Sequence, residues 1–115
     1  MEFAINGKEK ELKFGIGFIR NLDEIYKADV NGIQFGMGLN MAMVQLQQYN
    51  PSALSQVIRA ATKGNIRLET IDEAIEQYAE AEDGLEQLFE EVLAEVGKSP
   101  VTKATLKRME NLAKQ

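Results

Sequence analysis

The carboxylates are the first side chains whose spacing suggests chemistry. Eleven acidic residues fall between positions 69 and 95, with no basic residue among them. Glu86 with Glu90, and Glu91 with Glu95, stand four apart, so each pair shares a helix face. A di-iron bundle would need Glu-x-x-His, and the chain has no histidine. No segment has the Asp-rich spacing of an EF-hand loop. The chain also lacks cysteine, which removes disulfides and thiolate metal sites. Ser–His, Cys–His and His-ligated zinc chemistry are excluded with them. An enzyme would have to work with carboxylates, Lys or Tyr alone. KFGIGFIR, residues 13–20, contains Gly15-x-Gly17, but the third glycine of a dinucleotide fingerprint would fall at Arg20. The Gly-Lys-Ser/Thr of a P-loop is absent, and the segment reads as a strand-to-helix turn. Nothing assembles a nucleophile, a base and an orienting group. No catalytic residue, cofactor site or metal site is assigned, and the residue chemistry favours a binding protein over a catalyst.

Binding needs a surface, and FGMGLNMAMVQLQQY, residues 35–49, is the candidate. At 100° per residue, Phe35, Leu39, Ala42, Leu46 and Tyr49 form one stripe. Met37, Met41 and Val44 form a second, roughly opposite, with Asn40, Gln45 and Gln47 on the flanks. A surface helix needs one apolar stripe, so this helix needs cover on two sides. Its own chain can supply both, as for a central bundle helix, or the Met face can meet another chain. Methionine is flexible and polarizable, which suits a surface that adapts to varied partners. Phe35, Met37, Met41 and Val44 are the protein-binding candidates, and Phe89, Val92 and Leu93 are assigned to the core. Gly36 and Gly38 flank Met37 and read as sites of close packing or a bend.

The elements that position this helix are short. Met1, Phe3 and Ile5 alternate with polar neighbours, as do Leu12 and Phe14, and Asn6-Gly7 marks a hairpin turn. A two-residue loop would set Phe3 opposite Lys10. A four-residue loop, Asn6–Glu9, sets Phe3 against Leu12 and Met1 against Phe14, and is preferred because it pairs apolar residues. A first helix is expected over 15–28, with a stripe of Ile16, Ile19, Leu22, Ile25 and Tyr26 and Phe18 beside it. Asn31-Gly32 ends or follows it. After the Met-rich helix, Asn50 caps a third over about 52–62, with Pro51 in its first turn and Leu54, Val57, Ile58 and Ala61 inward. Gly64 suits its C-terminal end. Thr70-x-x-Glu73 reads as a capping box opening a fourth helix, with Ile71, Ala74, Ile75 and Tyr78 inward. Asp83-x-x-Glu86 repeats the signature for a fifth, which presents Leu85, Leu88, Phe89, Val92, Leu93 and Val96 and closes at Gly97. Beyond Pro100, residues 102–114 form a weak sixth helix or stay disordered.

The fold class is therefore mainly α with a small N-terminal β-hairpin (α+β), about five short helices packed as an orthogonal bundle. The 115 residues suit one globular domain over 1–97, hairpin 1–14 and helices 15–97, followed by a basic tail over 98–115 that can be helical. Residues 1–68 carry a net charge of +2, from eight basic and six acidic side chains; residues 96–115 carry +4, from five and one. An acidic middle with a basic end argues against nucleic-acid binding by the body. The acidic run reads as a solvated face, with steering toward basic partner segments or the basic tail as its sharper use. No run approaches the roughly 18 apolar residues a bilayer crossing needs, and no secretory signal is expected.

KFGIGFIRNLDEIY, NGIQFGMGLNMA, NPSALSQVIRAAT and IDEAIEQYAEAEDGLEQLFEEVLAEV, in this order over roughly residues 1–105, resemble tail assembly chaperones of long-tailed phages and prophages of Gram-positive bacteria. No single motif is diagnostic; the order of segments carries the resemblance. It implies a non-catalytic protein that binds the tape measure protein and keeps it soluble before the tail tube forms. It also implies the host cytoplasm as the site of action, absence from the mature virion, self-association and a longer frameshifted form. The competing class is a small acidic regulator or inhibitor that mimics nucleic acid through its acidic helices.

Overall fold

The computed structural model describes residues 1–27 and 37–113. Two strands, β1 (Glu2–Ile5) and β2 (Lys8–Glu11), form an antiparallel hairpin. Six helices follow among the described residues: α1 (Ile16–Tyr26), α2 (Met37–Gln47), α3 (Pro51–Ala61), α4 (Leu68–Glu82), α5 (Glu86–Lys98) and α6 (Pro100–Ala113). That is one more than the expected five, because the basic C-terminal stretch is helical.

The hairpin takes the tighter of the two registers. Ile5 pairs with Lys8 and Phe3 with Lys10 across a two-residue turn, so the preferred four-residue loop is corrected. Asn6 and Gly7 both have positive φ, 53° and 74°, the backbone that lets two residues reverse a twisted strand pair. Local turn chemistry outweighs apolar pairing because Leu12 and Phe14 are buried elsewhere. Past β2 the chain runs beside the end of α3. The Leu12 N–H donates to the Met1 carbonyl at 2.8 Å, and the Lys13 N–H to the Ala61 carbonyl at 2.8 Å. Phe3 and Ile5 face the core, while β2, Lys-Glu-Lys-Glu, forms a mostly exposed edge.

Helix α3 starts where the sequence indicates. The Asn50 side chain accepts from the Ser52 and Ala53 N–H groups, and Pro51 fills the first helical position. Leu54, Val57, Ile58 and Ala61 are all buried. The two capping boxes are not used. Helix α4 begins at Leu68, two residues before Thr70, after an Arg67 that gives no side-chain cap. Asp83 does not open α5. It ends α4 in the left-handed conformation, φ 56°, and Gly84 follows at φ 135°. Aspartate and glycine are among the residues that tolerate positive φ, so the Asp-Gly pair spends its conformational freedom on the corner.

One core joins the hairpin to α1 through α5, centred on Ile19, Leu22, Leu46, Leu54, Ile71, Leu88 and Val92. Ile16 is corrected from the expected stripe: it is 52% exposed. Phe18, Ile19, Leu22 and Tyr26 turn inward together, and the arc they define leaves Ile16 outside. Helix α6 packs on α5 and α1. Thr102 is fully buried, its hydroxyl donating to the Val96 carbonyl, and the Ser99 hydroxyl donates to the Phe14 carbonyl at 2.5 Å. Leu106 and Met109 are half-buried against the core.

Candidate functional site

Helix α2 is wedged against α1, α3 and α5. Its inner side is Leu39, Ala42 and Leu46, each no more than 1% exposed. Gly38 sets the distance to α1. A Cβ at that position would lie 2.6 Å from the backbone carbonyl group of Leu22, so only glycine permits this approach. The Gly38 N–H donates to the Asp23 carboxylate at 2.9 Å, tying the first turn of α2 to α1. At the other end the Tyr26 hydroxyl donates to the Gln45 side-chain oxygen at 2.9 Å. The close-packing reading of Gly38 holds; Gly36 and Phe35 lie outside the described residues.

The helix ends in a strained but well-held turn. Tyr49 adopts φ 55°, and the Asn50 N–H reaches back to the Gln45 carbonyl at 3.1 Å while the Tyr49 N–H reaches Leu46 at 3.0 Å. This is the paired hydrogen-bond pattern of a Schellman turn, usually built on glycine. A tyrosine there costs on the order of 1 kcal/mol of backbone strain. The side chain supplies compensation: its ring stacks on Phe89 with centroids 4.8 Å apart and planes 8° apart, and its hydroxyl donates to Glu90. That hydrogen bond, with burial and the charges of Glu90 and Glu86 behind it, pushes the Tyr49 phenol up from 10.0 to about 12. Tyr49 is thus not part of the inner stripe. It is 37% exposed and clasps α2 to α5. The signal that marks it is its place directly before Asn50-Pro51, where the helix must stop.

With α2 so fixed, its outer side is fixed too. Met37 and Val44 are 38% and 49% exposed, and Met41 lies between them, half-buried against the core. Asn40, Gln47 and Gln48 are exposed around them. Helix α2 contains no charged residue at all. The structure therefore brings three of the four sequence-derived candidates to one face. Of the three residues assigned to the core, Phe89 and Val92 are buried and Leu93 is half-buried.

The carboxylates gather on the outer sides of α4 and α5. Glu82, Asp83, Glu86 and Glu90 rim the corner between these helices. Among the described residues no group of three carboxylates is placed to hold a metal ion. No helix there is long and apolar enough to cross a membrane. Glu69, in the first turn of α4, has its carboxyl held below the usual range by its own backbone N–H and by Arg67.

A family model described as phage tail assembly chaperone protein, TAC, matches residues 2–110. The match takes in the hairpin and nearly all six helices, and the chain belongs to this family of tail assembly chaperones. Comparison with curated proteins gives no match, and comparison with solved structures gives none.

Proposed function

We propose that this chain binds the tape measure protein through the outer face of α2 and keeps it soluble in the host cytoplasm while the tail is built. The observation that carries this reading is an exposed apolar face without charge. Met37, Met41 and Val44 offer apolar contact, and Asn40, Gln47 and Gln48 are neutral, so a client can cover them without desolvating an ion. A tape measure protein is long and expected to be helical, with apolar stripes that would aggregate if bare. An amphipathic client helix would lay its stripe along α2. Thioether side chains adapt to the changing shape of successive segments. The carboxylates of α4 and α5 keep the coated complex dispersed. Many copies are needed along one long client, so copies of the chaperone also associate with each other.

The test is co-expression of the tape measure protein with the wild-type chain or with a Met37→Gln, Val44→Gln variant. The variant should fold with unchanged helix content and leave the client in the insoluble fraction. A folded double variant that still keeps the client soluble would overturn the assignment.

A further inference from the structure

The middle of the chain gathers its cations at one corner. Residues 37–68 contain no acidic side chain, and their basic ones are Arg59, Lys63 and Arg67. All three stand where α3 ends and the chain turns toward α4. Thr62 ends α3 in extended backbone, and Gly64, at φ 98°, turns the chain so that Ile66 comes back beside Arg59. The Arg59 Nε–H donates to the Ile66 carbonyl at 2.8 Å, which holds the guanidinium by one edge. Its outer amino groups have no hydrogen-bond or ion-pair partner among the described residues. They are open to solvent, because no buried side-chain nitrogen or oxygen among those residues lacks a partner. Lys63 is exposed and in no ion pair with a described residue, whereas Arg67 meets Glu69 at 3.4 Å.

Beside Arg59 lies a hollow of about 210 Å³ between α1 and this corner. Ile25 and Ile66, both half-buried, give it apolar walls, and Asn21, Asn65 and Arg59 give it polar ones. A helix end ordinarily repels an anion through its bare carbonyls. Here each carbonyl of the last turn of α3 has a donor. Ile58 accepts from the Thr62 hydroxyl at 2.6 Å, and Arg59 from the Thr62 N–H at 3.1 Å. Ala60 accepts from the Asn21 amide at 2.9 Å, and Ala61 from the Lys13 N–H at 2.8 Å. Glu24, the one acid lining the hollow, is tied to Lys27 at 3.0 Å. The corner therefore keeps a surplus of positive charge.

We infer that this hollow is a second binding site, for a polypeptide that presents a Glu or Asp side chain next to an apolar one. The carboxylate meets Arg59, with Lys63 beside it, and the apolar neighbour lies on Ile25 and Ile66. A guanidinium held by one edge offers the rest as a fork that a carboxylate meets with two hydrogen bonds. The chemistry selects a polypeptide over a nucleic acid. The hollow has room for a side chain or two, its cations form a corner rather than a stripe, and the whole chain carries a net charge of −5. At 100° per residue, Asn21 and Ile25 lie on the side of α1 roughly opposite Asp23 and Tyr26, which hold α2. The site is thus separate from the outer face of α2, and one molecule can hold an apolar segment and an acidic segment at once.

The experiment is a titration of the isotope-labelled full chain, followed by amide NMR, with a flexible peptide of repeated Gly-Leu-Glu-Ser and with its Gly-Leu-Gln-Ser counterpart. The acidic peptide should shift the amides around Ile25, Arg59 and Gly64, and it should bind more weakly as salt is raised. The Gln peptide should bind at least ~10-fold more weakly. Arg59→Lys keeps the charge but loses the fork, and should weaken the acidic peptide ~5-fold or more. Lys63→Gln should weaken it ~3-fold, and Glu24→Gln, which removes the hollow's own negative charge and frees Lys27, should tighten it by a similar factor. Circular dichroism of each variant checks the fold. If Arg59→Lys loosens the corner, the opposite signs at Lys63 and Glu24 decide, since both side chains are exposed. Equal binding of the two peptides, shifts confined to α2, or changes of the same sign at Lys63 and Glu24 would overturn the inference. So would inorganic phosphate or a single-stranded RNA oligonucleotide that binds as tightly as the acidic peptide. The Met37→Gln, Val44→Gln variant should bind the acidic peptide as the wild type does, which separates this site from the client face of α2.

Discussion

Helices α2 and α5 touch one another, yet they divide their apolar residues in opposite ways. Helix α5 places Leu88, Phe89, Val92 and Val96 on one buried side and carboxylates on the other. Helix α2 has Leu39, Ala42 and Leu46 buried, apolar residues on the outside as well, and no charge. The first is the ordinary economy of a surface helix. The second leaves an outer side that an apolar partner can cover at no ionic cost. The inner sides should therefore behave alike under mutation, and the outer sides should not.

The largest effect should come from the inner sides. Leu46→Ala in α2 and Leu88→Ala in α5 remove fully buried side chains, and each should cost about 3 kcal/mol in urea denaturation. If the Leu46 variant cost far less, α2 would be a loosely held element and the comparison would fail. The glycines sharpen it further. Gly38→Ala would drive a methyl group into the Leu22 backbone and should cost about 2 kcal/mol. Gly97→Ala in α5 meets nothing within 4 Å and should stabilise by about 0.5–1 kcal/mol.

Smaller still is the outer side of α2. Val44→Ser should change stability by no more than about 0.5 kcal/mol while reducing client solubilisation. The last effect is invisible at neutral pH. Because the Tyr49 phenol is raised above its unfolded value, its contribution to stability is complete below pH 10.0 and is lost as pH rises to about 12. Tyr49→Phe keeps the stack on Phe89 and should flatten the alkaline limb of a stability–pH curve. An unchanged limb would mean that the hydroxyl does not tie α2 to Glu90.

These contrasts also explain which parts of the structure were legible in the residues. Periodicity found the inner stripes of α3, α4 and α5, because burial by neighbours on one side leaves a plain 3.6-residue pattern. On α2 it found Leu39, Ala42 and Leu46 inside and Met37, Met41 and Val44 opposite, but it wrongly counted Tyr49 with the inner stripe. It could not say that Met41 is half-buried while Val44 is open, since that depends on where α1 and α5 lie. The misread positions are those where two local rules compete. Asp83 fits a helix start and a helix end equally, and the following glycine decides for the end. Leu12 fits a hairpin partner for Phe3, but the tight Asn-Gly turn leaves it to bridge Thr62 instead. The clasp of Tyr49 on Phe89 and Glu90 joins residues some 40 positions apart, and no window along the chain contains both.

Strand β2 bears on the client binding proposed for α2. Its Lys-Glu-Lys-Glu run forms a mostly exposed edge of the two-stranded sheet, and its charges discourage another chain from zipping onto it. The sticky surface sits instead on a helix, whose main-chain polar groups are satisfied internally. An apolar partner laid on that helix would be gripped by side chains alone, without a strand edge to extend.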